Sequence, residues 1–102
     1  MSDFVVVAKR EDVPLGGALR VEVAEQEIAL FNIDGEIYAI GDICSHARAS
    51  LSEGDVDGFT VACPKHGSLF DVRTGEALTL PAFRPVPKYE VRITGDDVEV
   101  KV

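Results

Sequence analysis

A chain of 102 residues holds just two cysteines and two histidines, and they fall into two short pairs. The first is Cys44-Ser45-His46; the second, after sixteen intervening residues, is Cys63-Pro64-Lys65-His66. Thiolate sulfur and imidazole nitrogen are the donors of zinc sites and of mixed-ligand iron–sulfur sites. A lone Cys or His is usually a buried thiol or a solvated imidazole. Two matched pairs that use every such donor point instead to one shared metal centre.

The elements that must position these pairs read as strands. Residues 4–9 are rich in Val and end at a loop carrying Glu11, Asp12, Pro14, Gly16 and Gly17. Residues 18–24 place Leu19, Val21 and Val23 on one face, and residues 27–33 supply Ile28, Leu30 and Phe31. Asp34-Gly35 joins this run to residues 36–40, and Asp-Gly between apolar runs predicts a two-residue hairpin because both positions take positive φ. From residue 41 to about 79 the predicted strands shorten, and glycines recur at 54, 58, 67 and 75. Within this stretch residues 59–62 read as a strand after an Asp57-Gly58 turn, and residues 68–72 as another before a turn at Arg73-Thr74-Gly75.

Pro81, Pro85 and Pro87 impose an extended return. Residues 88–93, with Tyr89, Val91 and Ile93 on one face, then turn at Thr94-Gly95-Asp96 into an alternating run with Val98, Val100 and Val102. No stretch long enough for a helix keeps a 3.6-residue apolar period. The expected fold class is all-β, one domain over 1–102, with a base of about 1–40 and 80–102 and an inserted loop-rich subdomain of about 41–79.

Composition narrows the function. Net charge is -8, and no Lys/Arg cluster interleaved with aromatics occurs, which argues against nucleic acid as a partner. No apolar run approaches the ~18 residues that cross a bilayer, and the first residues lack the features of a secretory leader, so no membrane partner and a cytoplasmic location are expected. A reducing compartment disfavours a Cys44–Cys63 disulfide and leaves thiolates available as ligands. Nothing matches a catalytic triad, a phosphate-binding loop or a nicotinamide or flavin fingerprint, so turnover of a substrate by this chain alone is not expected.

A zinc-stabilised interaction module would account for the ligand types. Structural zinc sites, however, usually space their first ligands by about two to four residues and often present the last two from a helix. The other reading is a [2Fe–2S] centre in which two cysteines hold one iron and two histidines the other. At this point C-x-H, sixteen residues, then C-x-x-H followed by Gly67 resembles the Rieske ferredoxin family, in particular the small ferredoxins of bacterial ring-hydroxylating dioxygenase systems. The resemblance runs on through Leu51-Ser52-Glu53-Gly54, Asp57-Gly58, Val61-Ala62-Cys63-Pro64, Phe70-Asp71, Arg73-Thr74-Gly75 and Leu80-Pro81-Ala82.

The resemblance implies a Rieske fold, with an antiparallel β-sandwich base under a cluster-binding subdomain, and one Rieske [2Fe–2S] cluster held by Cys44, His46, Cys63 and His66. It implies a one-electron carrier between a flavin-dependent NAD(P)H-oxidising ferredoxin reductase and a terminal Rieske oxygenase acting on aromatic rings. Service to a monooxygenase or a nitrite reductase is the alternative within the same class. Two ferric ions, two sulfides and two thiolates sum to no net charge with neutral imidazoles, whereas four thiolates leave a dianion. The potential therefore rises from about -400 mV for four-Cys plant-type ferredoxins into a range of roughly -150 to +300 mV.

Residues around the ligands set the place within that range. Respiratory-type Rieske proteins add a disulfide between the ligand loops and a Ser and a Tyr hydroxyl near the second loop. Here no cysteine remains for a disulfide, Ser68 matches the serine, and Phe70 stands where the tyrosine would be. A potential toward the low end is expected. Pro64 fixes the backbone between two ligands, and Gly67 allows a tight turn beyond His66. Arg48 and Lys65 adjoin the ligand pairs among Asp42, Glu53, Asp55, Asp57 and Asp71; they read either as solvated surface charge or as a locally basic tip for docking.

Overall fold

Asp34 and Gly35 both take positive φ, 53° and 93°, and fold the chain back on itself as the Asp-Gly signal requires. In the computed structural model, which describes residues 4–45 and 48–102, this turn joins β3 (Gln26–Ile33) to β4 (Glu36–Gly41). β2 (Ala18–Val23) pairs with β3, and both pairings are antiparallel. The register sets Leu30 between Leu19 and Ala39. His46 lies outside the described residues.

β3 explains the architecture. Ile28, Ala29, Leu30 and Phe31 are all fully buried, an unbroken apolar run of the kind a strand covered on both faces requires. Because side chains alternate across a strand, Ile28 and Leu30 enter one core cluster while Ala29, Phe31 and Ile33 enter the other. β4 divides in the same way, with Ile37 and Ala39 on the first side and Ile40 on the second. The sheet of β2, β3 and β4 is thus the middle layer of the molecule.

The first cluster is closed by β10 (Asp97–Lys101), whose Val98 and Val100 are fully buried. β10 lies between β1 (Phe4–Lys9) and β9 (Val91–Thr94) in an antiparallel three-stranded sheet, and the β9–β10 turn places Gly95 at φ 61°. Two sheets stacked face to face make the expected sandwich. On the outer side of β10, Glu99 is covered by Arg92, whose guanidinium also lies 4.3 Å from the Phe4 ring.

The second cluster is closed by the chain between β4 and the return. It gathers Leu51, Val61, Phe70, Val72, Ala82 and Val86 together with Cys44 and Cys63. A third antiparallel sheet forms here from β5 (Asp55–Asp57), β6 (Thr60–Ala62) and β7 (Leu69–Asp71). Among the described residues the helical content is two single 3-10 turns, Arg10–Asp12 and Leu51–Glu53.

Three details differ from expectation. The β5–β6 turn is centred on Gly58-Phe59, since Asp57 pairs with Thr60; Gly58 at φ 61° supplies the positive φ, and Asp57 stays in strand conformation. β5 itself, three residues with one apolar side chain, carries too short a pattern to read. The expected strand over 88–93 is two pieces: β8 (Lys88–Tyr89) adds to the β4 edge, and the chain then crosses at Glu90 to join β9 to β10. Tyr89 and Val91 still pack on one core, but Ile93 is left 39% exposed beyond it.

Candidate metal centre

The two segments that carry the Cys/His pairs are closed in the same way. An antiparallel bridge between Ile43 and Ser50 closes the first, and the Ala62–Leu69 pair of β6 and β7 closes the second. In each loop the cysteine comes first and donates its backbone N–H to the carbonyl five residues on: Cys44 to Ala49 at 3.0 Å and Cys63 to Ser68 at 2.8 Å. Six residues separate the closing pair in both cases, 44–49 and 63–68. The unequal C-x-H and C-x-x-H spacers hide this equivalence at the sequence level.

Burial separates the two donor types. Cys44 and Cys63 are 4% and 1% exposed and belong to the hydrophobic cluster with Leu51 and Phe70, whereas His66 is exposed. Two thiols on the inner side and an imidazole on the outer side suit a binuclear centre in which cysteines would hold one iron and histidines the other. Among the described residues no three His, Cys, Asp or Glu side chains converge on a single ion. A [2Fe–2S] cluster with two protein ligands per iron requires no such convergence. The donor set and its placement fit the group.

A third segment ties the loops together. The Ser45 hydroxyl donates to the Arg84 carbonyl at 2.5 Å, and the Ala82 N–H donates to Ser68 Oγ at 3.1 Å, so residues 82–84 touch both ligand loops. The start of this strap is held by Leu78 N–H on the Leu69 carbonyl, and its end by Val86 N–H on the Gly75 carbonyl. Leu80 and Phe83 project from it 78% and 70% exposed. Ser68 is fully buried and accepts from Ala82, leaving its own hydroxyl proton to donate elsewhere.

Gly67 has φ 74° and donates to the Cys63 carbonyl at 2.8 Å, the tight turn its position suggested. Pro64 sits exposed in the same turn, and Phe70 is fully buried without a hydroxyl to offer. Arg48 and Lys65 are exposed, as are Glu53, Asp55 and Asp57. Asp42, by contrast, is no surface charge: it is fully buried and accepts from the Ser50 hydroxyl at 2.6 Å and the Ser52 N–H at 3.0 Å. Sequence reading missed it because a lone acid in a loop normally faces water. Asp71 is also partly withdrawn, and the Arg73 guanidinium hydrogen-bonded to it holds its carboxyl below the usual range. Arg73 in turn lies 4.2 Å from the Phe59 ring. Among the described residues no helix is long and apolar enough to cross a membrane.

A family model described as Rieske [2Fe-2S] domain matches residues 3–90. The 3-phenylpropionate/cinnamic acid dioxygenase ferredoxin subunit of Shigella boydii serotype 4 (strain Sb227) is 51% identical over 88 residues, 85% of this chain and 82% of that protein. Among solved structures, the ferredoxin of carbazole 1,9a-dioxygenase from Nocardioides aromaticivorans IC177 superposes with a TM-score of 0.92 at 34% identity, covering 97% of each chain. A chain in a complex of reduced oxygenase and oxidized ferredoxin of carbazole 1,9a-dioxygenase gives a TM-score of 0.90 at 33% identity, over 99% of this chain and 94% of that one.

Proposed function

The chain belongs to the Rieske [2Fe–2S] family and is an electron-carrying ferredoxin, and we propose that Cys44, Cys63, His46 and His66 hold its cluster. We place it in the cytoplasm, taking electrons from a flavin-dependent NAD(P)H-oxidising reductase and delivering them to the terminal oxygenase of an aromatic-ring dioxygenase system. The relatives are ferredoxin subunits of such dioxygenases, and one structural neighbour comes from a complex with its oxygenase. The observation that carries the site assignment is the pair of equivalent loops, each opening on a buried cysteine, with His66 on the outer side.

When bound, a Rieske cluster takes up and releases one electron at a potential of roughly -150 to +300 mV. The chain's residues divide the remaining work. Leu51 and Phe70, both fully buried, wall the thiols from water. Gly67 turns the second loop so that His66 faces outward, and the Ser68 hydroxyl proton is available to a cluster sulfur. The division into a base of about 1–40 and 80–102 and a cluster-bearing part of about 41–79 follows the same logic: the sandwich is rigid support, and the loops meet the partner. Leu80 and Phe83 offer an apolar contact beside the ligand loops, of the modest size that suits a transient electron-transfer encounter.

Electron paramagnetic resonance of the dithionite-reduced protein tests the cofactor ligation: a mixed His/Cys cluster gives a lower average g-value than a four-Cys cluster. A colourless protein with zinc and no acid-labile sulfide overturns it. Reconstitution tests the partners. Substrate-dependent NAD(P)H oxidation is expected with a ring-dioxygenase and its reductase, and coupling only to a monooxygenase or nitrite reductase would move the assignment there.

A further inference from the structure

Asp42 is fully buried two residues before Cys44, while Glu53, Asp55 and Asp57 around the same site are exposed. Among the described residues, every contact to its carboxylate comes from a donor. Ser50 Oγ lies at 2.6 Å, the Ser52 N–H at 3.0 Å and Arg20 Nε at 3.5 Å. Ser52 Oγ is 2.8 Å from Ser50 Oγ, so with Ser50 donating to Asp42 the Ser52 proton completes a chain of two hydroxyls aimed at one carboxylate. A shell of donors alone is what an anion requires.

Arg20 does not cancel that charge. Its side chain is 43% exposed, its nearest contact is the Glu27 carboxylate, and Glu22 lies 3.8 Å away. One cation shared among three carboxylates leaves the group net negative, and Asp42 is the member farthest from water. The same residue joins both ends of the first ligand loop: its side chain holds Ser50 and Ser52, and its carbonyl accepts from Leu51 N–H at 2.6 Å.

We propose that Asp42 is a buried fixed negative charge that keeps the cluster's reduction potential low while latching shut the loop that carries Cys44 and His46. The inference rests on the assignment of Cys44 as a ligand. Reduction takes the cluster from no net charge to one negative charge, so a neighbouring carboxylate disfavours the reduced form. Buried charges are little screened by salt, so the effect persists across ionic strength.

Redox titration of the holoprotein tests this, with the parent's resonance spectrum and sulfide content establishing the cluster separately. Asp42→Asn keeps the shape and removes the charge. It is expected to raise the potential by at least a threefold change in the one-electron equilibrium, about 28 mV at 59 mV per tenfold. Arg20→Gln, on the surface, removes the one cation of the group among the described residues and is expected to lower the potential by a similar factor at low salt, with the shift shrinking at high salt. A purely structural latch would alter cluster retention and leave both potentials in place. An Asp42→Asn protein that retains its cluster at an unchanged or lower potential overturns the proposal; so does Arg20→Gln at an unchanged or higher one. If Asp42→Asn fails to assemble, Arg20→Gln decides alone.

Discussion

Gly54 and Gly58 sit four residues apart at the two ends of β5, and alanine is expected to act on them through different physics. At Gly54 the backbone, φ -82° and ψ 171°, suits any residue, but a methyl group would overlap the Ala62 carbonyl oxygen. That carbonyl cannot swing aside, because Ala62 is paired with Asp55 on one side and Leu69 on the other. Relief must part β5 from β6 beside Cys63. Overpacking of this kind costs about 1–3 kcal/mol, and each ladder bond lost adds about 0.5–1.5 kcal/mol. A total of about 2–4 kcal/mol follows, a large share of an ordinary domain's stability. At Gly58 an added Cβ meets open space, and the cost is the left-handed φ of 61° alone, about 1–2 kcal/mol. Denaturant melts combined with iron and acid-labile sulfide assays separate the two. Gly54→Ala is expected to lose cluster as well as stability, and Gly58→Ala to keep its cluster. Equal behaviour of the two variants, or a stable and fully loaded Gly54→Ala, would refute the steric argument.

Three further outcomes are expected. Ser68→Ala removes both the acceptor for Ala82 N–H and the hydroxyl proposed to reach the cluster, so redox titration should show a potential lower by about a threefold equilibrium step, roughly 28 mV; an unchanged potential would leave Ser68 a structural role only. Phe83→Ala, on a side chain 70% exposed, should change stability by no more than about 0.5 kcal/mol, yet raise severalfold the ferredoxin concentration needed for half-maximal oxygenase reduction; unchanged kinetics would remove the strap from the docking surface. Asp71's depressed carboxyl pKa, owed first to the Arg73 hydrogen bond, contributes stability above the ordinary carboxyl range near pH ~4 that is lost as pH falls through the lower folded value. Arg73→Gln should therefore destabilise the protein near neutral pH, with the difference from the parent shrinking in acid; a gap that widens in acid contradicts the pairing.

The β2–β4 meander was legible because each strand is six or more residues long, and Asp34-Gly35 carries an unambiguous turn chemistry. The closing β9–β10 hairpin was legible for the same reason, from alternating valines about a Gly turn. β5 and β8 span three and two residues, too few for any period, and their pairing is imposed by the loops they join, whereas β6, equally short, was legible from the glycine turn before it. The sheet switch at Glu90 has no local signature, since Tyr89 and Val91 keep the spacing of one continuous strand while packing from two sheets. At the site, the donor types and their spacing were plain. The matched closure of the two loops was not, because it consists of backbone hydrogen bonds, and Asp42 read as solvent-facing because its partners, Arg20 and Ser50, come from distant or unremarkable positions.

The partition made by β3 bears on how an iron-starved chain would behave. The cluster on one side of β3 contains Val13, Ile28, Leu30, Val98 and Val100 and no cysteine, while both cysteines lie on the other side. With the cysteines as the proposed ligands, metal binding and local folding are linked on one face of a single strand. Without iron, amide hydrogens of β1, β9 and β10 should retain slow exchange while those of β5 to β7 open ahead of them, two cooperative units divided by one strand that belongs to both. Cofactor supply would then govern the lifetime of the loop-bearing half against proteolysis and leave the sandwich standing as a ready template for later loading.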